Sequence, residues 1–341
     1  MASLKDIKNL ELAELKEALH KMDEPSYRAE QIFFWLYHRG SLEFAAMRNL
    51  SKKLVEKLKS KYYISGLELK QHLTSSDGAE KFLFRLADGK YIETVLIQAK
   101  NRKTVCLSTQ VGCKFRCIFC ASGRKGFVRD LTPSEIINQI LYLQHRLRHR
   151  LTNYVFMGIG EPLDNIENLF KAIKIMNEPK GMAIGARRMT VSTCGIVPGI
   201  EKLGDLGKQI NLSVSLHSVS DDQRSKLIPV NKRYPLEKLI KACERYITAV
   251  GRMITLEYIL IDGENDSLKN AQKLAAIAKK LHAKINLIPY SKIAKQGFEA
   301  PSKSKIDTFV KELTEKGANA TIRESKGLEI KAACGQLAGQ A

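Results

Sequence analysis

The chain has 341 residues, of which 44% are hydrophobic and 27% charged, so a large core is possible and a disordered or fibrous protein is excluded. The 56 basic and 36 acidic residues give a net charge of +20, which indicates a polyanionic partner, either nucleic acid or an anionic membrane surface. No run approaches the ~18 apolar residues of a membrane helix, and the N-terminus has no secretory pattern. We therefore expect a cytoplasmic protein with reduced thiols and no membrane contact.

The first 65 residues predict a helical N-terminal accessory domain. Apolar residues at helical spacing indicate three helices, over residues 4–20, from Pro25 to Gly40 and over 49–61. Residues 66–100 change to the alternating pattern of strands, and Asp88-Gly89 is typical of a hairpin turn. We therefore expect a short antiparallel β section that links the helical domain to the rest of the chain.

Strand-like and helix-like segments alternate regularly from residue 101 to residue 317. They make six βα units, with strands predicted over residues 103–109, 153–158, 188–193, 210–217, 253–261 and 284–289. Six units are too few to close an eight-stranded barrel, so the expected fold class is α/β, an open partial (βα)6 barrel. Its chemistry should lie at the C-terminal ends of the strands. Residues 318–341 should form a last strand and a tail.

Three cysteines follow the first barrel strand in the pattern Cys113-x-x-x-Cys117-x-x-Cys120. Three thiolates on one loop can hold three irons of a 4Fe–4S cluster and leave the fourth iron open to a small molecule. The alternative is a structural zinc site completed by Cys106 or Cys334, since such sites have four closed ligands. The position on the first βα loop favours the cluster. Cys194 and Cys243 are interpreted as buried hydrophobic residues.

Polar residues and a glycine also lie at the ends of three further predicted strands. Gly160-Glu161 follows the second strand, Ser192 ends the third, and the fourth ends in Ser215-Leu216-His217. Because the carboxyl ends of parallel strands meet at one rim, we expect these residues to lie near the cysteine loop. Each motif taken alone is also compatible with a plain turn or a solvated polar residue.

Together these motifs make the chain resemble the RlmN and Cfr family of radical S-adenosylmethionine (SAM) RNA methyltransferases. The three cysteines are the signature of radical SAM enzymes as a whole. The narrower matches are Glu93, Cys106, Ser-Thr-Gln-Val-Gly-Cys at 108–113, Gly-Phe at 126–127, Met-Gly-Ile-Gly-Glu-Pro at 157–162, Ser-Thr-Cys-Gly at 192–195, Ser-Leu-His at 215–217 and Ala-Cys-Gly-Gln-Leu at 333–337. The resemblance extends over nearly the whole chain.

The resemblance implies which residues hold the cofactors. A 4Fe–4S cluster would be held by Cys113, Cys117 and Cys120, and the amino and carboxylate groups of SAM would chelate its open iron. SAM contacts are implied for Gly160, Glu161, Ser192, Ser215, Leu216 and His217. A carboxylate such as that of Glu161 can accept hydrogen bonds from the SAM ammonium group. The chain departs from the family at Ser291, where the family usually has a SAM-contacting asparagine.

The resemblance also implies the reaction, which is methylation of carbon 2 of adenine in 23S rRNA and tRNA with two SAM molecules per turnover. Methylation of carbon 8, as in Cfr, stays open. The tail cysteine, Cys334, would accept a methyl group from the first SAM. A 5′-deoxyadenosyl radical from the second SAM would activate that S-methyl group for addition to the ring. Release would use Cys106 as a thiolate, leaving a Cys106–Cys334 disulfide, and Glu93 as acceptor of the ring proton. A solvent-facing strand carboxylate is the alternative interpretation of Glu93.

The positive charge is concentrated around the cysteine loop. Residues 101–150 hold ten basic and two acidic side chains and so contribute +8 of the +20. Such a surface favours RNA as the substrate, whose target adenine must leave its stack. We expect a monomer that receives electrons from a donor such as flavodoxin or ferredoxin. The alternatives from other classes are a radical SAM protein that activates another protein and a zinc-stabilised RNA-binding protein.

Overall fold

The computed structural model describes residues 4–292 and 297–339. Its N-terminal elements are β1 (Lys5–Asp6), α1 (Leu12–His20), α2 (Tyr27–Phe33), α3 (Lys52–Lys59) and β2 (Tyr62–Tyr63). A π-helix over Phe34–His38 continues α2. The apolar side chains of α1–α3 are buried in the same continuous core as the strands that follow.

The predicted helix over residues 4–20 is wrong in its first half. Lys5–Asp6 instead form β1, which pairs in parallel with β2, and residues 7–9 form a 3-10 turn. The Asp6 side chain accepts a hydrogen bond from the Lys8 amide and so stabilises that turn. The helix begins only at Leu12, where Glu11 and Glu14 form a capping box.

The predicted antiparallel section is present. It consists of β3 (Glu68–Thr74), β4 (Glu80–Arg85), β5 (Tyr91–Ala99) and β6 (Arg102–Cys106). The Asp88-Gly89 hairpin is confirmed, since the Leu86 amide donates to the Lys90 carbonyl and Gly89 has a φ of +80°.

Strands and helices then alternate along the rest of the chain. They are β7 (Gln110–Gly112), α4 (Ala121–Arg124), β8 (Phe127–Asp130), α5 (Pro133–Leu141), β9 (Asn153–Phe156), α6 (Ile166–Asn177), β10 (Met189–Thr193), α7 (Val197–Asp205), β11 (Asn211–Ser215), α8 (Asp221–Leu227), α9 (Leu236–Val250), β12 (Thr255–Leu260), α10 (Leu268–Lys280), β13 (Lys284–Pro289), α11 (Lys303–Glu315) and β14 (Asn319–Ile322). None of the helices within the described ranges is long and apolar enough to cross a membrane.

A ten-stranded sheet organises these elements, in the order β14-β13-β12-β11-β10-β9-β6-β5-β4-β3. Strand β6 pairs in parallel with β9, and from β9 to β14 each strand pairs in parallel with the next. In the described part of the chain the edge strands β14 and β3 do not pair with each other, so the sheet is open. This arrangement confirms the partial barrel with an antiparallel extension.

The first barrel strand is shorter than the predicted range 103–109. Strand β6 ends at Cys106. Ser108 leaves the sheet because its amide donates to Gln139 Oε1 and its hydroxyl donates to the Glu93 carbonyl. The following strand, β7, pairs with β8 instead. Cys106 therefore lies at the C-terminal end of its strand, on the rim where chemistry is expected.

Lys8 joins the N-terminal region to the barrel from a buried position. Its Nζ donates to the Ser65 carbonyl (2.9 Å) and to Asn138 Oδ1 on α5 (2.8 Å). Burial lowers the pKa of Lys8 to about 8, and the nearby Asp6 carboxylate acts in the opposite direction. The charged ammonium group is therefore less favourable in the folded protein than in the unfolded chain.

The free energy of unfolding should rise with pH between about 8 and 10.5, the folded and reference pKa values of Lys8. In this window the unfolded chain keeps the proton that the folded protein has released, so stability increases with pH. The gain from this group is on the order of 3 kcal/mol. Lys8→Met should remove the gain in denaturant titrations at the two ends of the window. The same pH dependence in both proteins would contradict this explanation.

Candidate active site

The three-cysteine motif lies on the loop between β7 and α4, at the rim formed by the strand ends. The Cys113 amide donates to the Gly126 carbonyl (3.0 Å), and the Cys120 amide donates to the Cys117 carbonyl (3.0 Å). Gly112 is required before the loop, because its φ is +77° and an added Cβ would lie 1.9 Å from the Gly126 oxygen. The loop therefore has a defined shape and presents three half-buried thiols.

A cavity of about 160 Å³, the first cavity, adjoins this loop. Its wall contains most of the residues predicted to bind the cluster and SAM, together with the tail cysteine: Cys113, Cys117, Cys120, Gly160, Glu161, Ser192, Ser215, His217 and Cys334. Leu216 is not in this wall, because its side chain is buried in the core. The ends of the parallel strands and the cysteine loop thus bring all but one of these predicted residues to one place.

Glu161 is buried in the wall of the first cavity, with its carboxylate held by two backbone amides. Oε1 accepts from Leu163 (3.0 Å) and Oε2 accepts from Cys194 (2.7 Å). Burial raises the pKa of Glu161, and these hydrogen bonds act in the opposite direction. Gly160 has a φ of +104°, and an added Cβ would lie 2.6 Å from Gln110 Cβ. A ligand ammonium group would stabilise a carboxylate in this position.

His217 borders the first cavity as a neutral imidazole. Its Nδ1 accepts a hydrogen bond from the Ile259 amide (3.0 Å), so the ring proton is on Nε2. Burial, together with the charge of Arg224, lowers the pKa of His217 to about 3. The ring packs edge-on against Phe119, with 4.7 Å between the ring centroids. His217 can therefore donate a hydrogen bond to a ligand but is not a proton donor at neutral pH.

A second cavity, of about 230 Å³, shares part of its wall with the first. Cys106 borders only the second cavity, whereas both are bordered by Cys120, Met157, Gly158, Ile288, Arg323, Cys334 and Gly335. Cys334 therefore lies between the two cavities, and its side chain is exposed. Cys106 and Cys334 are free thiols, so the disulfide that the resemblance implies is absent from this state.

The C-terminal tail is held against the cysteine loop by main-chain hydrogen bonds. The Ala121 amide donates to the Gly335 carbonyl (2.7 Å), and the Ser122 hydroxyl donates to the Leu337 carbonyl (2.6 Å). Gly335 has a φ of +82°, and an added Cβ would lie 2.7 Å from the Phe119 oxygen. These contacts position Cys334 next to the loop.

Glu93 also binds the tail. Its Oε2 accepts from the amides of Ala338 (2.6 Å) and Gly339 (2.8 Å), and its Oε1 pairs with Lys81 Nζ (3.0 Å). The carboxylate is buried, and Glu93 is in the wall of neither cavity described above. The structure therefore places Glu93 behind the tail, and its role as acceptor of the ring proton stays a prediction.

The interpretation of Cys243 as a buried hydrophobe is confirmed, whereas that of Cys194 is wrong. Cys194 is half-buried and borders the first cavity. A hydrogen bond with the Cys117 side chain is the main reason that the pKa of Cys194 is raised, and the Glu161 carboxylate adds to this effect. The thiol of Cys194 therefore belongs to the site.

Arg224 is a fully buried arginine behind the rim that was not predicted from the sequence. Its guanidinium donates to the carbonyls of Cys194 (2.7 Å), Ser215 (3.0 Å) and Leu216 (3.0 Å). It thus ties the ends of β10 and β11 together and positions the residues that border the first cavity. Its position on the polar helix α8 is typical of a surface residue and carried no sequence signal of burial.

Ser291, where the resemblance implies a SAM-contacting asparagine in the family, lies away from the wall of the first cavity. Its side chain is buried, and its hydroxyl donates to Ser325 Oγ (3.1 Å). It is not among the residues that border that cavity.

The side chains around the first cavity fit an iron–sulfur cluster and SAM. Thiolates are suitable iron ligands, and burial raises the pKa of Cys113 and Cys120, so cluster binding must release protons. Glu257 also borders the cavity, and its buried Oε2 has no hydrogen-bond partner among the described residues, as expected of an atom that contacts a ligand.

A zinc site fits this arrangement less well. Within the described ranges, no three His, Cys, Asp or Glu side chains converge so that they could hold one metal ion. Structural zinc needs four such ligands around a single ion. A 4Fe–4S cluster binds each thiolate through a different iron, so its ligands need not converge on one point.

Known proteins share this fold and are similar in sequence over nearly the whole chain. Residues 107–275 match the Radical SAM superfamily, and residues 5–64 match the ribosomal RNA large subunit methyltransferase N-terminal domain. The crystal structure of a radical SAM methyltransferase from Sphaerobacter thermophilus aligns with a TM-score of 0.93 at 44% identity, covering 98% of this chain and 100% of that chain. The fold and the site therefore define a radical SAM methyltransferase.

Relatives found by sequence similarity narrow the class of protein to RNA methyltransferases. A probable dual-specificity RNA methyltransferase RlmN from Heliobacterium modesticaldum is 43% identical over 98% of this chain and 90% of its own length. A second, from Geobacillus kaustophilus, is 45% identical over 98% of this chain and 92% of its own length. The chain belongs to the RlmN family of radical SAM RNA methyltransferases. Membership implies SAM and a 4Fe–4S cluster and excludes the protein-activating and zinc-stabilised alternatives.

Proposed function

We propose that the enzyme methylates carbon 2 of adenine in 23S rRNA and tRNA, with Cys334 as the carrier of the methyl group. The observation that supports this proposal is the position of Cys334 on the wall shared by two cavities. A carrier that receives a methyl group from one ligand and passes it to another needs access to both. Cys106, the proposed partner of Cys334 in product release, borders the second cavity only.

The first cavity is the proposed SAM site, used twice in each turnover. Cys113, Cys117 and Cys120 would hold the cluster, which when bound supplies the electron that cleaves SAM to a 5′-deoxyadenosyl radical. Glu161 would accept hydrogen bonds from the SAM ammonium group. His217 would donate a hydrogen bond to SAM from Nε2.

The second cavity is the proposed site of the target adenine. Apolar side chains in its wall include Val95, Ile97, Met157 and Ile288, which suit a flat base taken out of its stack. Carbon 2 of adenine is electron-poor and cannot attack the methyl group of SAM as a nucleophile. A carbon radical on the Cys334 methyl group does not need a nucleophilic ring. The chain must therefore place Cys334 between the two ligands and exclude water.

Exposed cations near the rim support RNA binding. Arg124 and Lys125 follow the cysteine loop, and both side chains are exposed. Such groups neutralise phosphates and make binding sensitive to salt. In this proposal the enzyme acts as a monomer and receives electrons from a flavodoxin or ferredoxin.

The first test is the mass of the Cys334 peptide. The enzyme is prepared anaerobically with its cluster reconstituted and is incubated with SAM in the absence of RNA. We expect one added methyl group on Cys334. An unmodified Cys334 in protein with full iron content would contradict the carrier role.

The position on the ring is identified from the nucleosides of modified RNA. Digests of 23S rRNA and of tRNA treated separately should both contain 2-methyladenosine. The 8-methyl isomer would instead assign a Cfr-type reaction, and product in only one RNA would restrict the substrate.

A further inference from the structure

We propose that Arg323 is a positioning residue that stabilises the thiolate forms of Cys334 and Cys106. The inference rests on the proposed function, because it assigns a nucleophilic step to each cysteine. Arg323 follows β14, the last parallel strand, and its amide donates to the Leu287 carbonyl on β13 (2.8 Å). The residue is thereby held at the rim where both cavities open.

Arg323 lies where the two cavities meet. It borders both of them, as Cys334 does, whereas Cys106 borders the second. Among the described residues, its guanidinium has neither an ion pair with a carboxylate nor a hydrogen bond, unlike the fully bonded Arg224. The cation is therefore available to a group that becomes negative during the reaction.

The thiols that share the cavity walls with Arg323 identify that group, because Cys334 borders both cavities and Cys106 borders the second. Cys334 is the largest influence that raises the pKa of Arg323, followed by Glu257 and Cys106, while burial acts in the opposite direction. Burial and Cys334 raise the pKa of Cys106 to about 12, and Arg323 counteracts them. The other charged residues in the cavity walls are Glu161 in the first and Arg102, Glu324 and Lys326 in the second.

Both proposed steps begin with a thiolate, and each balances in atoms and charge. Cys334 first loses its proton to water, and its sulfur bonds to the SAM methyl carbon as the sulfonium C–S bond breaks. The Cys334 thiolate and the SAM sulfonium thereby become two neutral thioethers. Cys106 later loses its proton and attacks the Cys334 sulfur. An S–S bond then forms, the S–C bond to the ring methylene breaks, and the electron pair goes to carbon, which takes a proton.

One cation on the shared wall can serve both steps, because only one of the two sulfurs is anionic at a time. A neighbouring positive charge favours the reactive thiolate over the thiol. Arg323 therefore acts on the reacting atoms through the cysteines.

The test measures thiolate formation without methyl transfer. Full-length wild type, Arg323→Met and Arg323→Lys, each with a reconstituted cluster, are treated anaerobically with iodoacetamide at neutral pH, without SAM or RNA. Mass spectrometry follows the initial rate of alkylation of the Cys334 peptide. We expect alkylation about fivefold slower in Arg323→Met and within about twofold of wild type in Arg323→Lys, which keeps the charge. The buried Cys106 should respond in the same direction.

Lys326→Met is the matched control, because it removes a different cation from the wall of the second cavity. Lys326 Nζ donates to the Gln98 carbonyl (3.0 Å), on the opposite strand β5. In the Lys326→Met variant, Cys334 should be alkylated at the wild-type rate. Iron content and the cluster EPR signal verify folding of each variant, and Arg323→Gln repeats the comparison with a polar side chain. The inference would be overturned if Cys334 were alkylated at the same rate in wild type and Arg323→Met. It would also be overturned if Lys326→Met or Arg323→Lys slowed the alkylation as much as Arg323→Met does.

This outcome is independent of the proposed function. Alkylation reports the thiolate whether or not the enzyme transfers a methyl group. An unmethylated Cys334 in wild type after incubation with SAM would contradict the carrier role and leave the alkylation result intact.

Discussion

Cys334→Ala is expected to lower RNA methylation by at least about a thousandfold, to the limit of detection. The variant has no sulfur to carry the methyl group, and the electron-poor adenine carbon cannot take it from SAM directly. The measurement is transfer of labelled methyl groups from SAM to RNA. Cys334→Ser should be equally inactive, because a serine hydroxyl is a poor nucleophile without an adjacent base.

The cluster should survive this substitution, since Cys334 is not one of the three proposed iron ligands. Iron content and the EPR signal of the reduced cluster should therefore equal those of wild type. Cys243→Ala is the matched control, because Cys243 is buried in α9 and borders neither cavity. It should keep activity within about twofold of wild type. Methylation by Cys334→Ala at a rate near that of wild type would exclude Cys334 as the carrier.

Cys106→Ala should abolish multiple turnover and accumulate a covalent link between Cys334 and RNA, about one RNA per enzyme. Without the Cys106 thiolate, the bond between the Cys334 sulfur and the ring methylene cannot be broken. The adduct is measured as protein-bound RNA on a denaturing gel and located by mass spectrometry of the Cys334 peptide. Free methylated RNA should fall at least about a hundredfold under multiple turnover.

The double variant Cys106→Ala, Cys334→Ala separates this adduct from nonspecific cross-linking. It should form none, because the atom that links the two molecules is missing. Release of methylated RNA by Cys106→Ala at the wild-type rate would show that another group breaks the bond. The first candidate would then be Cys194, whose thiol borders the first cavity.

The site is predictable from the sequence where a local pattern and the topology of parallel strands point to the same place. Alternating βα units predict a rim, and the rim brings together the cysteine loop, Gly160-Glu161 and the ends of β10 and β11. The Asp88-Gly89 hairpin was predictable because the residue type itself selects the turn. Each of these features depends on residues close together in the chain or on the general geometry of the fold.

Prediction failed where a distant segment decides the local structure. Residues 4–9 have the apolar spacing of a helix, yet Lys5 pairs with Tyr62 and Asp6 with Tyr63 as short strands. The hydrogen bonds of Ser108 similarly end the first barrel strand at Cys106. In both regions, tertiary contacts outweigh the small difference in free energy by which the local sequence favours a helix or a longer strand.

The sequence by itself determined the chemistry available to this enzyme: three thiols on one loop, a cysteine in the tail, a cysteine in the first strand and an excess of cations. Only the tertiary structure decided how these groups are arranged. It places Cys334 between two cavities, Arg323 on their shared wall, and Glu93 against the Ala338 amide, 245 residues further along the chain. Such contacts join segments whose separation along the chain carries no information about their distance in space. They depend on the close packing of the whole sheet, which no single motif specifies.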